Sequence, residues 1–218
     1  MAKKFAWSFS ALQGFELCPK KHYSENIAKD VRQKENPTQQ YGITSHKEFE
    51  KRLLKGTPLP LDLRHHEKFL KRIYDRPGQA YPEQKLALTK NFELTGFFDS
   101  DVWVRTIIDY AKVEGNKALV LDHKFGKQKE GTDQLDLMAA VLFAAMPELE
   151  YIVAAYYWAK TKEFVSVIYT RADIAEIWNN FMPRVDALED AIKMTNFPPT
   201  KGFLCKNYCP VTSCPFNG

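Results

Sequence analysis

Arg105 to Lys127 reads RTIIDYAKVEGNKALVLDHKFGK, and the fold of the chain turns on it. Two apolar runs, Val102 to Ala111 and Lys117 to Phe125, flank Gly115-Asn116, the backbone-permissive pair that a tight hairpin needs. Side chains alternate across a strand, so Asp122 and Lys124 share one face and His123 takes the other. Asp109 follows Ile107-Ile108 in an equally apolar setting. Two acids and one lysine therefore converge at one edge of a sheet. Buried carboxylates are costly unless they meet a cation, and one lysine cannot neutralise two of them. A divalent metal completes the charge balance. The plainer alternative for an acid-x-Lys pair on a strand is a surface ion pair.

An acid on one strand followed by (D/E)-x-K on the next resembles the core of the PD-(D/E)XK nuclease superfamily, with Asp109, Asp122 and Lys124 in the matching places. The run LVLDHKFGK resembles its RecB-type branch in particular. The likeness implies an α/β fold, a restriction-endonuclease-like mixed sheet flanked by helices, and a single nuclease domain over 1–218 with its core at about 38–193.

Composition fits that size. The 218 residues are 44% hydrophobic and 27% charged, enough for one ordinary core. The net charge of +4 permits a nucleic-acid partner without requiring one. MAKKFAWSFS turns polar at once, and no apolar run reaches the length of a membrane helix, so a soluble, cytoplasmic protein without a membrane partner is expected.

Ahead of the hairpin, Ser8 to Asn26 carries apolar residues at helical spacing behind a capping serine, and Cys18-Pro19 interrupts it. Thr38 to Lys55 reads as a second helix that Gly56 stops. His46 lies within it, and composition alone makes it an ordinary helix histidine. A short basic helix covers HHEKFLKRIYDR, and an alternating strand pattern covers PEQKLALTKNFELTGFF, with Asp99 and Asp101 as turn residues. Behind the hairpin, Gly131 to Met146 is apolar on nearly every side, hence a buried helix, with Gln134 its notable polar residue. Strands Tyr151 to Ala159 and Glu163 to Tyr169 and a helix from Ala172 to about Lys193 follow.

The family resemblance extends to these flanks. Ser8, Ser10, Leu12, Phe15 and Cys18-Pro19 match the opening pattern of RecB-type nucleases, and Gly42-x-x-x-His46 resembles their metal-binding helix histidine. Glu83 stands where relatives begin a strand with an acid. Their Gln-x-x-x-Tyr appears here as Gln134 with Met138 in the tyrosine's place. The likeness implies Mg2+ or Mn2+ held by His46, Asp109, Asp122 and the backbone carbonyl of His123. It implies that Lys124 acts on the reacting phosphate and that Gln134 steadies the site.

Three of the four cysteines, Cys205, Cys209 and Cys214, crowd the last residues, and Cys18 is the fourth. In a reducing compartment such a set argues for a metal, and both four-thiolate zinc and an iron–sulfur cluster are chemically open. Free thiols are the plain alternative. RecB-type relatives carry a [4Fe-4S] cluster with the same division of one cysteine before the core and three after it, which implies a staple joining the two termini. This chain departs in spacing, with Cys-x3-Cys-x4-Cys where relatives have Cys-x2-Cys-x5-Cys.

The expectation is thus a metal-dependent deoxyribonuclease, taken as an exonuclease, that acts on DNA ends or single strands in recombination, repair or genome processing. The alternatives are an inactive nuclease-fold protein that binds DNA ends or a partner, and a zinc-stapled interaction module. No Gly-x4-Gly-Lys-Ser/Thr run occurs, so a helicase or recombination partner would act in trans.

Overall fold

The structure, a computed structural model, describes residues 5–32 and 37–217. The chain divides into two compact units, one of Met1–Ala6 with Asn36–Ile177, the other of Trp7–Glu35 with Trp178–Gly218. In chain order the elements are β1 (Trp7–Ser8), α1 (Phe9–Leu17), α2 (Pro19–His22), a π-turn (Tyr23–Ile27), α3 (Pro37–Lys55), α4 (Glu67–Tyr74), β2 (Gln79–Leu88) and β3 (Leu94–Thr95). There follow β4 (Val104–Glu114), β5 (Lys117–Lys124), α5 (Asp133–Ala145), β6 (Tyr151–Trp158), β7 (Glu163–Thr170), α6 (Ile174–Met194) and α7 (Cys205–Tyr208).

The first unit holds a mixed, mostly antiparallel sheet in the order β3-β2-β4-β5-β6-β7. Its hairpin is β4–β5, in register from Tyr110↔Leu121 to Glu114↔Lys117. Gly115 takes φ +58 at the first turn position, the place a type II′ turn reserves for glycine. Along that path β5 and β6 run parallel and the other neighbours antiparallel, and α5 makes the crossover between the parallel pair. The strand expected across Pro82 to Phe98 is two strands. It starts at Gln79 and breaks at Thr89, whose hydroxyl accepts from the N–H of Asn91 while Phe92 bends back with φ +62.

Apolar side chains fix the layers. Phe49 of α3, Leu70 of α4, Phe125 and Tyr157 pack with Leu59 and Leu63 in one cluster, and Tyr110, Leu121 and Ala155 form another beneath Leu53, Ile73 and Tyr74. Helix α5 buries eight residues from Leu135 to Phe143, as its all-round hydrophobicity predicts. Two polar anchors hold it. The Tyr169 hydroxyl donates to Asp136, and the Arg171 guanidinium donates to the carbonyls of Met146 and Pro147 just past its C-terminus.

In the second unit, Ser8 caps α1 by accepting from the N–H of Ala11 at 3.3 Å. The helix then stops at Cys18, whose extended backbone ends α1 and starts α2, with Pro19 in the first helical position. The helical stretch from Ser8 to Asn26 is thus broken at Cys18-Pro19, as the proline predicts. Within the same unit Trp7 packs on Phe181, and Arg184 pairs with Glu16 at 2.5 Å. Among the described residues no helix is long and apolar enough to cross a membrane.

Candidate active site

Asp109 lies just beyond the last paired residue of the hairpin, where β4 and β5 part. Its carboxylate takes up a donor the separating strand would leave unpaired, accepting from the backbone N–H of His123 at 2.8 Å. The same oxygen, Oδ2, is 3.4 Å from His46 Nδ1 and 3.4 Å from His123 Nδ1. His46, Asp109 and His123 thus bring three potential ligand atoms within 4.8 Å of one another. Burial pushes the Asp109 carboxyl up, but the His123 side chain, the charges of both histidines and the His123 amide outweigh it and hold it below its ordinary value. Burial keeps His46 below its ordinary value, which favours the neutral imidazole that a metal needs.

Asp122 and Lys124 point the other way, toward α5. Lys124 Nζ is 2.6 Å from Asp122 Oδ2 and donates to Gln134 Oε1 at 2.7 Å, and Gln134 Nε2 donates to Asp122 Oδ1 at 2.9 Å. The lysine lies over the Tyr156 ring, 5.1 Å from its centroid. The closed triangle orients both ends of the glutamine amide. The Lys124 ammonium thus pairs with Asp122 Oδ2 while Gln134 holds Oδ1. Burial and then the charge of Asp109 raise the Asp122 carboxyl to about 6.

Glu83 of β2 faces Asp109, between the register pairs Pro82↔Tyr110 and Gln84↔Ile108. Its φ of +47 is rare for a residue with a side chain, and such strain clusters at functional sites. Burial, then Asp109 and Glu50, raise its carboxyl to about 7. After burial, the charge of Asp109 raises both Glu83 and Asp122, a conflict that a cation would relieve, and among the described residues His123 Nε2 is buried without a hydrogen-bond partner. The donor set of carboxylates and imidazoles suits a divalent metal of the manganese or magnesium kind.

The sequence-derived residues fall into two groups around one strand end. His46, Asp109 and His123 meet on the α3 side, while Asp122, Lys124 and Gln134 meet on the α5 side. The imidazole of His123 stands in the first group, whereas the sequence offered only its backbone carbonyl. Strand alternation puts that ring on the opposite face from Asp122, and nothing local says that α3 brings His46 to meet it. Glu50 was also missed, although it sits one helical turn after His46, a spacing that places both on one face.

Cys18, Cys205 and Cys209 line one cavity of the second unit together with Thr200 and Gly202. Cys18 Sγ accepts from the N–H of Thr200 at 3.5 Å, and Cys205 Sγ accepts from the N–H of Gly202 at 3.3 Å. Cys214 is buried and is not part of that lining. All four are free, and among the described residues no three of their sulfurs lie within 4.8 Å of one another.

Comparison with known proteins gives the class. The family model of the PD-(D/E)XK nuclease superfamily matches residues 6–215, and the chain belongs to that superfamily. Among solved structures, the "Putative exonuclease" of Eubacterium rectale aligns over 92% of this chain and 86% of its own, at 12% identity and a TM-score of 0.57. SSO0001 aligns over 100% of this chain and 89% of its own, at 15% identity and a TM-score of 0.47. No curated protein matches. The mixed sheet with flanking helices is the restriction-endonuclease-like fold, and membership in the superfamily points to hydrolytic nuclease activity.

Proposed function

We propose that the chain is a divalent-metal-dependent deoxyribonuclease of the RecB type that acts as an exonuclease on DNA ends or single strands. The observation that carries this reading is the meeting at one strand end of Asp109 with His46 and His123, and of Asp122 with Lys124 and Gln134. His46, Asp109, Asp122 and the backbone carbonyl of His123 would hold Mg2+ or Mn2+, with the His123 ring beside Asp109 as a further donor on the α3 side. When bound, the ion polarises the scissile phosphate and makes hydroxide available near neutral pH.

The chain's own residues supply the rest. Lys124 presents a fixed cation to the charge that grows on the phosphoryl oxygens. Gln134 keeps that ammonium aimed by accepting from it and keeps Asp122 in one rotamer by donating to it. The His123 amide fixes Asp109. The presence of both acids and the lysine speaks for an active enzyme over an inert DNA-end-binding relative. The name of the Eubacterium rectale protein agrees with exonuclease action.

A metal staple of Cys18, Cys205, Cys209 and Cys214 is part of this reading: the first three line one cavity with N–H donors suited to thiolate sulfur, and Cys214 would have to move to join them. A [4Fe-4S] cluster is the preferred occupant and four-thiolate zinc the alternative. The proposed setting is cytoplasmic, with a helicase or recombination partner supplying strand opening. Digestion of end-labelled single-stranded and duplex oligonucleotides with manganese, magnesium or chelator tests the reading. Stepwise shortening with either metal and none with chelator is expected, and metal-independent or absent cleavage overturns it.

A further inference from the structure

Next to the metal group lies a cavity of about 210 Å3 lined by Tyr41, His65, His66, Phe125, Ala159 and Lys160. It holds none of the metal-binding residues but shares a wall with them, since the Phe125 ring centroid is 5.0 Å from that of His46. Phe125 and Ala159 directly follow the carboxyl ends of β5 and β6, the parallel pair, and the Ala159 N–H donates to the Lys124 carbonyl at 2.8 Å. Crevices at the carboxyl ends of parallel strands are where α/β sheets take ligands. The cavity therefore opens beside the scissile position, at the same end of the sheet as Lys124.

Its chemistry is specific. Tyr41 stands 44% exposed on α3, about one turn before His46. The exposed ring of His65 lies 3.9 Å from that of His66, and His66 is buried and fixed by a 2.7 Å bond between its Nδ1 and the Tyr157 hydroxyl. Lys160 is exposed at the rim, and no acid belongs to the lining. Flat rings with one cation suit a nucleotide, because every base offers a π-face and a lysine ammonium suits a phosphate. The volume falls below that of pockets for drug-sized ligands, so one ring system fits and a base pair does not.

We propose that this cavity is a nucleotide subsite of the nuclease, taking one unpaired base against Tyr41 and the exposed His65, which the buried His66 backs, while Lys160 meets the adjoining phosphate. The inference rests on the nuclease reading above and deepens it. A base inside a duplex would have to leave its stack to enter, at a cost that a frayed end or single strand avoids. The subsite thus makes single-stranded DNA the preferred substrate.

The test is fluorescence anisotropy of a short labelled oligonucleotide in chelator, single-stranded against duplex, with cleavage in manganese measured in parallel. Wild type should bind the single strand more tightly. Tyr41→Ala should weaken single-strand binding about tenfold and leave duplex binding unchanged, and Tyr41→Phe should restore it. Lys160→Ala should lower the salt dependence by about one phosphate contact. Equal single-strand binding by wild type, Tyr41→Ala and Lys160→Ala overturns the subsite, as does equal weakening on both substrates. Cleavage by wild type without single-strand preference sinks the subsite and leaves the nuclease reading standing, whereas single-strand preference without cleavage does the reverse.

Discussion

The backbone N–H of His123 donates to the carboxylate of Asp109 at 2.8 Å, across the point where β4 and β5 cease to pair. One contact thus closes the end of a hairpin and aims a carboxylate proposed as a metal ligand. The two roles separate by substitution. Asp109→Asn keeps an oxygen for the amide and should cost little stability, yet lose manganese binding and cleavage. Asp109→Ala should lose all three, with about 1–3 kcal/mol of stability for the unpaired N–H. Urea unfolding alongside manganese calorimetry checks this, and manganese binding retained by Asp109→Asn would sink the assignment.

Gln134 touches both Lys124 and Asp122, so its removal frees two side chains at once. Gln134→Leu should lower kcat by roughly 10–100-fold, the usual cost of losing a partner that orients site residues. Manganese affinity should change less than in Asp109→Asn. A wild-type kcat in Gln134→Leu would show that the triangle does not orient the site.

His66 gives a pH dependence. Burial, with the charges of His65 and Lys162, pushes it down to about 4 from an ordinary 6.5. Below pH 6.5 the unfolded chain takes up the proton while the folded one does not, so stability falls as pH drops from 6.5 toward 4 and levels below that. His66→Gln should flatten that part of the profile. Thermal unfolding between pH 7.5 and 5, about the upper part of that window, measures it, and an equal loss in the variant would contradict the role given to His66.

The cysteines give a composition test. If Cys18, Cys205, Cys209 and Cys214 share one metal, each single serine variant should lose it and become protease-sensitive near the chain ends. Brown colour with iron and sulfide identifies the cluster, and a colourless protein with zinc identifies the alternative. Full metal content in Cys18→Ser would exclude the joining of the two ends.

Much of the sheet was legible because its hairpin states its own period and turn. Gly115-Asn116 marks the reversal, and strand alternation alone puts Asp122 and Lys124 on one face. Helix α5 was legible from its all-round apolar text, and the break at Cys18-Pro19 from the proline. The His123 ring and Glu83 were harder. His123 gains its place only when α3 brings His46 and Phe49 against β5, a contact between residues far apart in sequence. The left-handed backbone of Glu83 has no signature in a run that reads as an ordinary strand. Gly78 is a related case. At φ +106, a Cβ there would lie 2.3 Å from the Val113 carbonyl oxygen, so the start of β2 depends on an approach that only the paired strand reveals.

Lys124 is assigned to the reacting phosphate and not to the metal, and on that division of labour the proposed chemistry rests. Its most direct test is cleavage of an end-labelled single strand by Lys124→Ala in manganese, with manganese binding measured by calorimetry on the same preparation. Cleavage should fall by at least about 100-fold, as for loss of a group that stabilises transition-state charge, with manganese binding retained. Cleavage near the wild-type rate would contradict the assignment.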